Sequence, residues 1–179
     1  MVSQWNIDPD HSVGSFSIRH MTVAFVHGQM NTVSGTISFD PDNITALSIR
    51  FEVDVSSILT GITKRDDHLK SDDFFDVAKY PKIIFQSTGA ERSGFHSSII
   101  RGDLTIHGIT KPITLETDIL GPVQSPFGET TLGLTGRMVL NREDFGLTWN
   151  EPMGNGGFMV GKEVEVSMNI EADLVTDKQ

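Results

Sequence analysis

The chain alternates apolar and polar residues over long stretches. The clearest case lies near the C-terminus, where Val164, Val166, Met168 and Ile170 are separated by polar residues. A period of two indicates a β-strand with one dry and one wet face. The same alternation predicts eight strands in all, at 14–18, 33–39, 47–55, 83–87, 100–106, 113–119, 132–140 and 163–174.

Turn-forming sequences separate these predicted strands, for example at 40–43, 92–94, 107–112 and 121–122. One-sided alternation is typical of antiparallel strands that face a core, in either a sandwich or a barrel. The mostly short links favour an up-and-down meander. We therefore predict one all-β domain over 1–179, an eight-stranded antiparallel up-and-down barrel with a narrow interior.

Three connecting segments break the strand pattern. A short helix is predicted near 64–73, with Thr63 and Asp66 resembling a capping box in which Asp replaces Glu. Residues 20–29 are a second candidate for a helical turn. Residues 142–159, with glycines at 154, 156 and 157, are predicted to form a loop region.

Composition narrows the choice of partners. The 179 residues include 24 acidic and 14 basic side chains, a net charge of −10, which disfavours nucleic acids and anionic membrane surfaces. No cysteine is present, so disulfides and thiol catalysis are excluded. No apolar stretch is long enough to cross a membrane. The N-terminal sequence lacks a signal-peptide pattern, which predicts a cytoplasmic location.

Several short motifs, in chain order, resemble the YceI-like or polyisoprenoid-binding family. They run from the first residues almost to the last, at 5–12, 16–21, 33–35, 65–76, 80–85, 102–112, 141–146 and 160–164. The resemblance implies an extended lipocalin-like barrel, often dimeric, with a long isoprenoid or related lipid in an internal tunnel. It thus implies a lipid partner and a homodimer.

Large residues of inward parity, together with apolar residues on the connecting segments, are the candidate ligand contacts. They are Phe16, Ile18, His20, Phe25, Phe51, Leu69, Phe74, Phe85, Leu104, Ile106, Met138, Leu140, Phe145, Trp149, Phe158 and Met159. The same residues would equally serve a filled core with plugged ends. The inward glycines Gly14, Gly35, Gly102 and Gly136 can likewise widen a tunnel or permit the bends of a closed barrel.

Polar residues carry no recognisable catalytic or metal motif. The six histidines lack ligand spacing, so no metal site and no cofactor are predicted. There is no nucleophile elbow and no phosphate-binding loop, so no catalytic residue is assigned. Arg142 and Asp144 are expected to form a local ion pair. Residues 65–67 are expected to pair or cap locally, with Arg65 or Arg19 contacting a ligand headgroup as the alternative.

The sequence leaves three functions open. The first is a carrier or store of an isoprenoid, an isoprenoid quinone or a fatty-acyl lipid. The second is an enzyme acting on an apolar substrate, which requires convergent polar groups such as His20 inside the barrel. The third is a stress-related or interaction protein whose barrel is merely packed.

Overall fold

The computed structural model describes residues 1–154 and 156–176 and contains eleven strands and one α-helix, α1 (Thr63–Lys70). The strands are β1 (Ser3–Ile7), β2 (Val13–His20), β3 (Ala24–Met30), β4 (Val33–Phe39), β5 (Ser48–Asp54), β6 (Ile58–Leu59), β7 (Lys82–Arg92), β8 (Ser97–Ile106), β9 (Ile109–Gln124), β10 (Thr130–Asn141) and β11 (Val160–Leu174).

Three pairs of consecutive short strands each act as one long, interrupted strand. β1 and β2 both run antiparallel to β11, with Ile7 opposite Ala172 and Val13 opposite Asn169. In the next position, β3 pairs with β2 and β4 pairs with β1. In the third position, β6 pairs with β3 and β5 pairs with β4. The eleven strands therefore occupy eight positions around the sheet.

The eight positions follow chain order and close into a barrel. β5 pairs with β7, and each later strand pairs antiparallel with the next until β11 returns to β1 and β2. Each predicted strand segment falls in a different position. The prediction of an eight-stranded antiparallel up-and-down barrel is confirmed.

One half of the barrel is filled by its own side chains. Trp5, Ile37, Ile100, Leu132 and Ala172 are buried in this half, together with other inward residues of the same strands. Because buried side chains in protein interiors are close-packed, this half of the barrel has little free volume. We call this end the packed half, and the end covered by α1 the open half.

The expected helical turn at 20–29 is wrong. The segment is a β-hairpin in which Ile18 of β2 lies opposite Val26 of β3. Met21 and Thr22 form the turn with positive φ angles of 51° and 64°. β-branched and aromatic residues after the turn fit a pleated strand, and pairing with β2 satisfies the backbone that a helical turn would leave exposed.

The predicted helix exists but is shorter than 64–73, and its capping differs. It ends at Lys70, and no side chain caps its start at Ile62. Thr63 is the first helical residue rather than the cap. Asp66 instead turns back, and its Oδ1 accepts hydrogen bonds from the Thr60 backbone N–H at 2.8 Å and the Thr60 hydroxyl at 2.5 Å. The expectation that residues 65–67 pair or cap locally is thus met by pairing, since Asp66 and Arg65 bond to Thr60 and neither caps the helix.

The segment 142–159 is confirmed as a connection without strands. It opens with a short 3-10 turn at Arg142–Phe145 and contains one isolated bridge between Pro152 and Phe158. Residue 155 of the predicted glycine-rich stretch lies outside the described residues.

Candidate functional site

The open half of the barrel contains a cavity of about 280 Å³, close to the lower end of the roughly 300–1,000 Å³ usual for small-molecule sites. Its wall is formed by Gly14, Ser15, Phe16, Ile18, Arg19, His20, Val26, Met30, Phe51, Val53, Arg65, His68, Leu69, Phe74, Phe75, Ile83, Leu104, Ile106, Met138, Leu140, Arg142, Leu147, Trp149, Met159, Val160, Val164, Val166 and Met168. Most of these side chains are aliphatic or aromatic.

Strand periodicity places the side walls. Because alternate residues of a strand point to the same face, Phe16 and Ile18 of β2, Met138 and Leu140 of β10, and Val164 of β11 project inward together. The floor is formed by Phe51, whose ring stacks on Phe85 with centroids 5.1 Å apart. The cavity therefore ends where the packed half begins.

An aromatic cluster closes the top of the cavity. The His68 ring meets Phe74 and Trp149 edge-on, with centroids 5.0 and 4.7 Å away, and those two rings lie 5.1 Å apart. Leu69 of α1 lies beside them at the cavity wall. The hydrogen bonds of Asp66 to Thr60 anchor this helix to the barrel rim.

The charged and ionisable groups on the wall are all basic: Arg19, His20, Arg65, His68 and Arg142. Arg65 donates to the Thr60 hydroxyl and carbonyl at 2.7 and 2.9 Å, and His68 pairs with Asp73 at 2.8 Å. The Arg19 guanidinium lies 3.9 Å from the centre of the Phe25 ring. Among the described residues, no carboxylate lines the cavity.

Most of the candidate contact residues lie on the cavity wall. They are Phe16, Ile18, His20, Phe51, Leu69, Phe74, Leu104, Ile106, Met138, Leu140, Trp149 and Met159. Their contact with a ligand stays a prediction. The walls also include Arg19 and Arg65, which the sequence offered as alternatives for a headgroup.

Four candidates lie elsewhere. Phe85 is wholly buried beneath Phe51, and Phe145 is buried in the core. Phe25 and Phe158 are 42% and 55% exposed on the outside of the barrel end. Parity and apolarity alone do not tell a floor residue or an outer rim residue from a wall residue.

The expected ion pair between Arg142 and Asp144 does not form. Arg142 is only 3% exposed, and its Nε donates to the Gly161 carbonyl at 2.8 Å while Nη1 donates to the Leu147 carbonyl. Asp144 is exposed. The 3-10 turn directs the arginine inward and the aspartate outward, which a loop sequence does not reveal.

The inward glycines divide between the two interpretations. Gly14 lines the cavity, whereas Gly35, Gly102 and Gly136 do not. A Cβ on Gly35 would lie 2.1 Å from the Arg50 carbonyl oxygen, and one on Gly102 would lie 2.4 Å from the Phe85 ring. These two glycines therefore permit close packing rather than widening a tunnel.

A cluster outside the cavity brings together potential metal ligands. One ligand atom each from Asp8, His11 and Glu171 lies within 4.8 Å of the other two. His11 Nδ1 lies 2.6 Å from Asp8 Oδ2. This hydrogen bond raises the pKa of His11 and lowers the pKa of Asp8. Both residues lie in the segment that connects β1 to β2, and their hydrogen bond links the two ends of that segment. We therefore assign the pair a structural role.

A closed eight-stranded barrel with an internal apolar cavity defines the lipocalin-like class of architecture. The YceI-like domain model matches residues 5–172. A UPF0312 protein of Pseudomonas savastanoi pv. phaseolicola is 38% identical over 149 residues, covering 82% of this chain and 78% of the relative. A UPF0312 protein of Vibrio parahaemolyticus is 34% identical over 161 residues, covering 90% and 81%. The chain belongs to the YceI-like family.

Solved structures share the fold. A Campylobacter jejuni YCEI protein is 26% identical with a TM-score of 0.74, covering 89% of this chain and 90% of the other. Burkholderia cenocepacia BcnA is 23% identical with a TM-score of 0.79, covering 92% and 98%. A Saccharophagus degradans domain, described as polyisoprenoid binding, is 15% identical with a TM-score of 0.69, covering 98% and 100%.

Within the described part of the chain, no helix is long and apolar enough to cross a membrane.

Proposed function

We propose that this protein binds the chain of one long apolar lipid, such as a polyisoprenoid, an isoprenoid quinone or a fatty-acyl compound, in the open half of its barrel. The observation that carries the proposal is the contrast between the two halves. Inward side chains fill one half, whereas the same strands in the other half surround about 280 Å³ of apolar space. Empty apolar space forfeits packing that a ligand restores.

Burial of apolar surface supplies the affinity. Each buried methylene is worth about 0.8 kcal/mol, so one five-carbon isoprene unit contributes roughly 4 kcal/mol before the cost of ordering the chain. Ordinary Leu, Ile, Phe and Met side chains can therefore hold such a ligand. The description of the Saccharophagus degradans domain as polyisoprenoid binding supports the same ligand class.

We infer that the protein acts by binding and not by catalysis. The wall contains no carboxylate among its described residues, and the side chain of His20, the histidine that the enzymatic alternative requires, has no hydrogen-bond or ion-pair partner among them. General acid–base work on a substrate needs a positioned proton donor or acceptor with a partner that tunes it. Turnover of a lipid substrate that His20→Ala abolishes would contradict this inference.

Displacement of a fluorescent apolar dye tests the binding proposal. The purified full chain is titrated with N-phenyl-1-naphthylamine and then with geranylgeraniol, a neutral isoprenoid alcohol. We expect saturable fluorescence at one dye per chain, reversed by the isoprenoid. If the dye fails to bind saturably, or is insensitive to every long-chain lipid, the proposal is wrong.

We also propose that the chain forms a homodimer. Exposed apolar side chains at the β2–β3 hairpin and its neighbour, Val23 at 79%, Phe25 at 42% and Phe158 at 55%, support an interface at this barrel end. Sedimentation equilibrium should give twice the chain mass of 19.7 kDa. A single monomeric species at micromolar concentration contradicts the proposal.

A further inference from the structure

The charge of the cavity wall is opposite to that of the whole chain. Acidic residues outnumber basic ones by 24 to 14 in the sequence. Yet the wall carries Arg65 and Arg142 with His20 and His68, and no described carboxylate. Arg19 also borders the cavity, but its guanidinium lies over the Phe25 ring on the outside of the barrel end. A neutral hydrocarbon needs none of these groups. Their concentration at one end of an apolar cavity indicates a ligand with a polar, electron-rich head.

Arg142 is the most buried of these groups. Its Nε and Nη1 are held by the Gly161 and Leu147 carbonyls, so the guanidinium is fixed in place. Its Nη2 is buried and has no hydrogen-bond partner. Burial lowers the pKa of Arg142, although the neighbouring Glu143 opposes this. Arginine nevertheless stays protonated, so a buried cationic donor is left unsatisfied.

The carboxylate next to Arg142 in the chain is engaged elsewhere. Glu143 pairs with Lys162 at 2.9 Å, and neither of these two residues lines the cavity. Three other buried polar atoms in the described chain lack partners, on Trp5, Ser98 and Thr117. Those atoms are uncharged and belong to residues outside the cavity wall. The unsatisfied charge is thus specific to the site.

His20 and Arg142 meet at the same short piece of strand. His20 lies opposite Val160 in the β2–β11 ladder, and the next residue, Gly161, accepts the hydrogen bond from Arg142. Both side chains border the cavity. A headgroup between them would meet a fixed guanidinium and an imidazole.

We propose that the lipid carries an anionic head, a carboxylate or a phosphate, and that Arg142 Nη2 donates a hydrogen bond to one of its oxygens. The inference rests on the proposed function and deepens it. The oxygen supplies both the missing acceptor and the missing counter-charge, after a small adjustment of the surrounding wall. Charge-assisted hydrogen bonds of this kind are about twice as strong as neutral ones.

Ligands that differ only in the head test the proposal on the unchanged protein. Hexadecanoic acid, hexadecyl phosphate, hexadecanol and methyl hexadecanoate compete with N-phenyl-1-naphthylamine at pH 8, where both acids are ionised. We expect at least one acid to bind tenfold or more tightly than the alcohol and ester. The relative strength of the two acids shows whether the natural head is a carboxylate or a phosphate.

Two variants attribute the preference to one residue. Arg142→Met should reduce the affinity for the acid at least tenfold more than the affinity for hexadecanol. Arg137→Met, which removes an exposed cation from β10, the strand that precedes Arg142, should preserve the preference. If Arg142→Met does not fold, Arg142→Lys, which keeps the charge with fewer directed donors, replaces it and should weaken the preference severalfold.

The outcomes separate the two proposals. Equal affinity for the acids and the neutral lipids overturns the anionic head and leaves lipid binding intact. A preference that survives in a folded Arg142 variant overturns the role of Arg142. Failure of the dye and of all four lipids to bind overturns the proposed function, and the anionic head with it.

Discussion

Leu140 and Leu132 lie on the same face of β10, yet they face different halves of the barrel. Leu132 is wholly buried in the packed half, whereas Leu140 lines the cavity. Substitution of either by Trp adds about 60 Å³, twice the roughly 30 Å³ that one water occupies in the liquid. In a close-packed core such an insertion costs about 1–3 kcal/mol, because neighbours must move.

Leu140→Trp should therefore lower the free energy of unfolding by less than about 1 kcal/mol, since the added ring enters empty space, and Leu132→Trp by about 1–3 kcal/mol. The effect on lipid affinity should follow the opposite order, with Leu140→Trp weakening binding more than Leu132→Trp. If the ring displaces three methylenes of the lipid, about 2.4 kcal/mol of binding is lost, or roughly fifty-fold in affinity. Leu132→Trp should bind the lipid normally once folded.

Urea unfolding and dye displacement measure the two effects separately. Both experiments use ligand-stripped protein, because bound lipid would add to the apparent stability. The reasoning is refuted if Leu140→Trp is as destabilising as Leu132→Trp, which would mean that the cavity is filled. It is equally refuted if Leu140→Trp binds lipid like the unmodified protein.

Three further predictions concern the frame of the site. Gly102→Ala should lower the free energy of unfolding in urea by about 1–3 kcal/mol, because its Cβ would overlap a buried ring. Gly136→Ala, whose Cβ would have its nearest contact at 3.6 Å, should not destabilise the fold, and equal effects of the two variants would contradict this packing. Asp66→Ala should cost about 1–3 kcal/mol by removing two hydrogen bonds at the helix rim, and a neutral result would show that they contribute nothing. His11 should titrate by NMR above its ordinary pKa of 6.5, and Asp8→Asn should return it towards that value; an unchanged titration contradicts the pairing.

The Asp8–His11 pair also gives a signed pH dependence. Asp8 has a lowered pKa, so its contribution to stability is lost as pH falls through that pKa. His11 has a raised pKa, so its contribution is lost as pH rises through it. Both partners are charged only between these two values, so the effect of removing the pair should be largest in that range. It should be smaller at alkaline pH, where Asp8 still accepts the hydrogen bond from the Asp10 backbone N–H.

The barrel could be predicted from the sequence because alternation is a local signal. In each of the eight segments, the alternation identifies the residues that face the core. The short links then leave few ways to connect the eight strands. The same signal does not show that β1 and β2 form one interrupted strand. That depends on Ser12, whose hydroxyl replaces a ladder group by bonding to the backbone of Glu171.

The site was only partly predictable. Val164 and Val166 share the parity of Met168 and could have been included by the same rule. Parity does not distinguish Leu132 from Leu140, since filling of the interior depends on all the strands together. Arg142 gave no signal, because an arginine beside acidic residues in a loop is typical of a solvated turn. The cytoplasmic location remains a prediction, which fractionation of cells expressing the full gene would check.

The central claim is that the open half of the barrel holds a lipid. Native mass spectrometry of the protein purified without detergent tests it most directly, with organic extraction to identify the added mass. We predict one long-chain lipid per 19.7 kDa chain, released by extraction and much reduced in Leu140→Trp but retained in Leu132→Trp. A bare chain mass that stays unchanged after incubation with isoprenoid and fatty-acyl lipids would contradict the account.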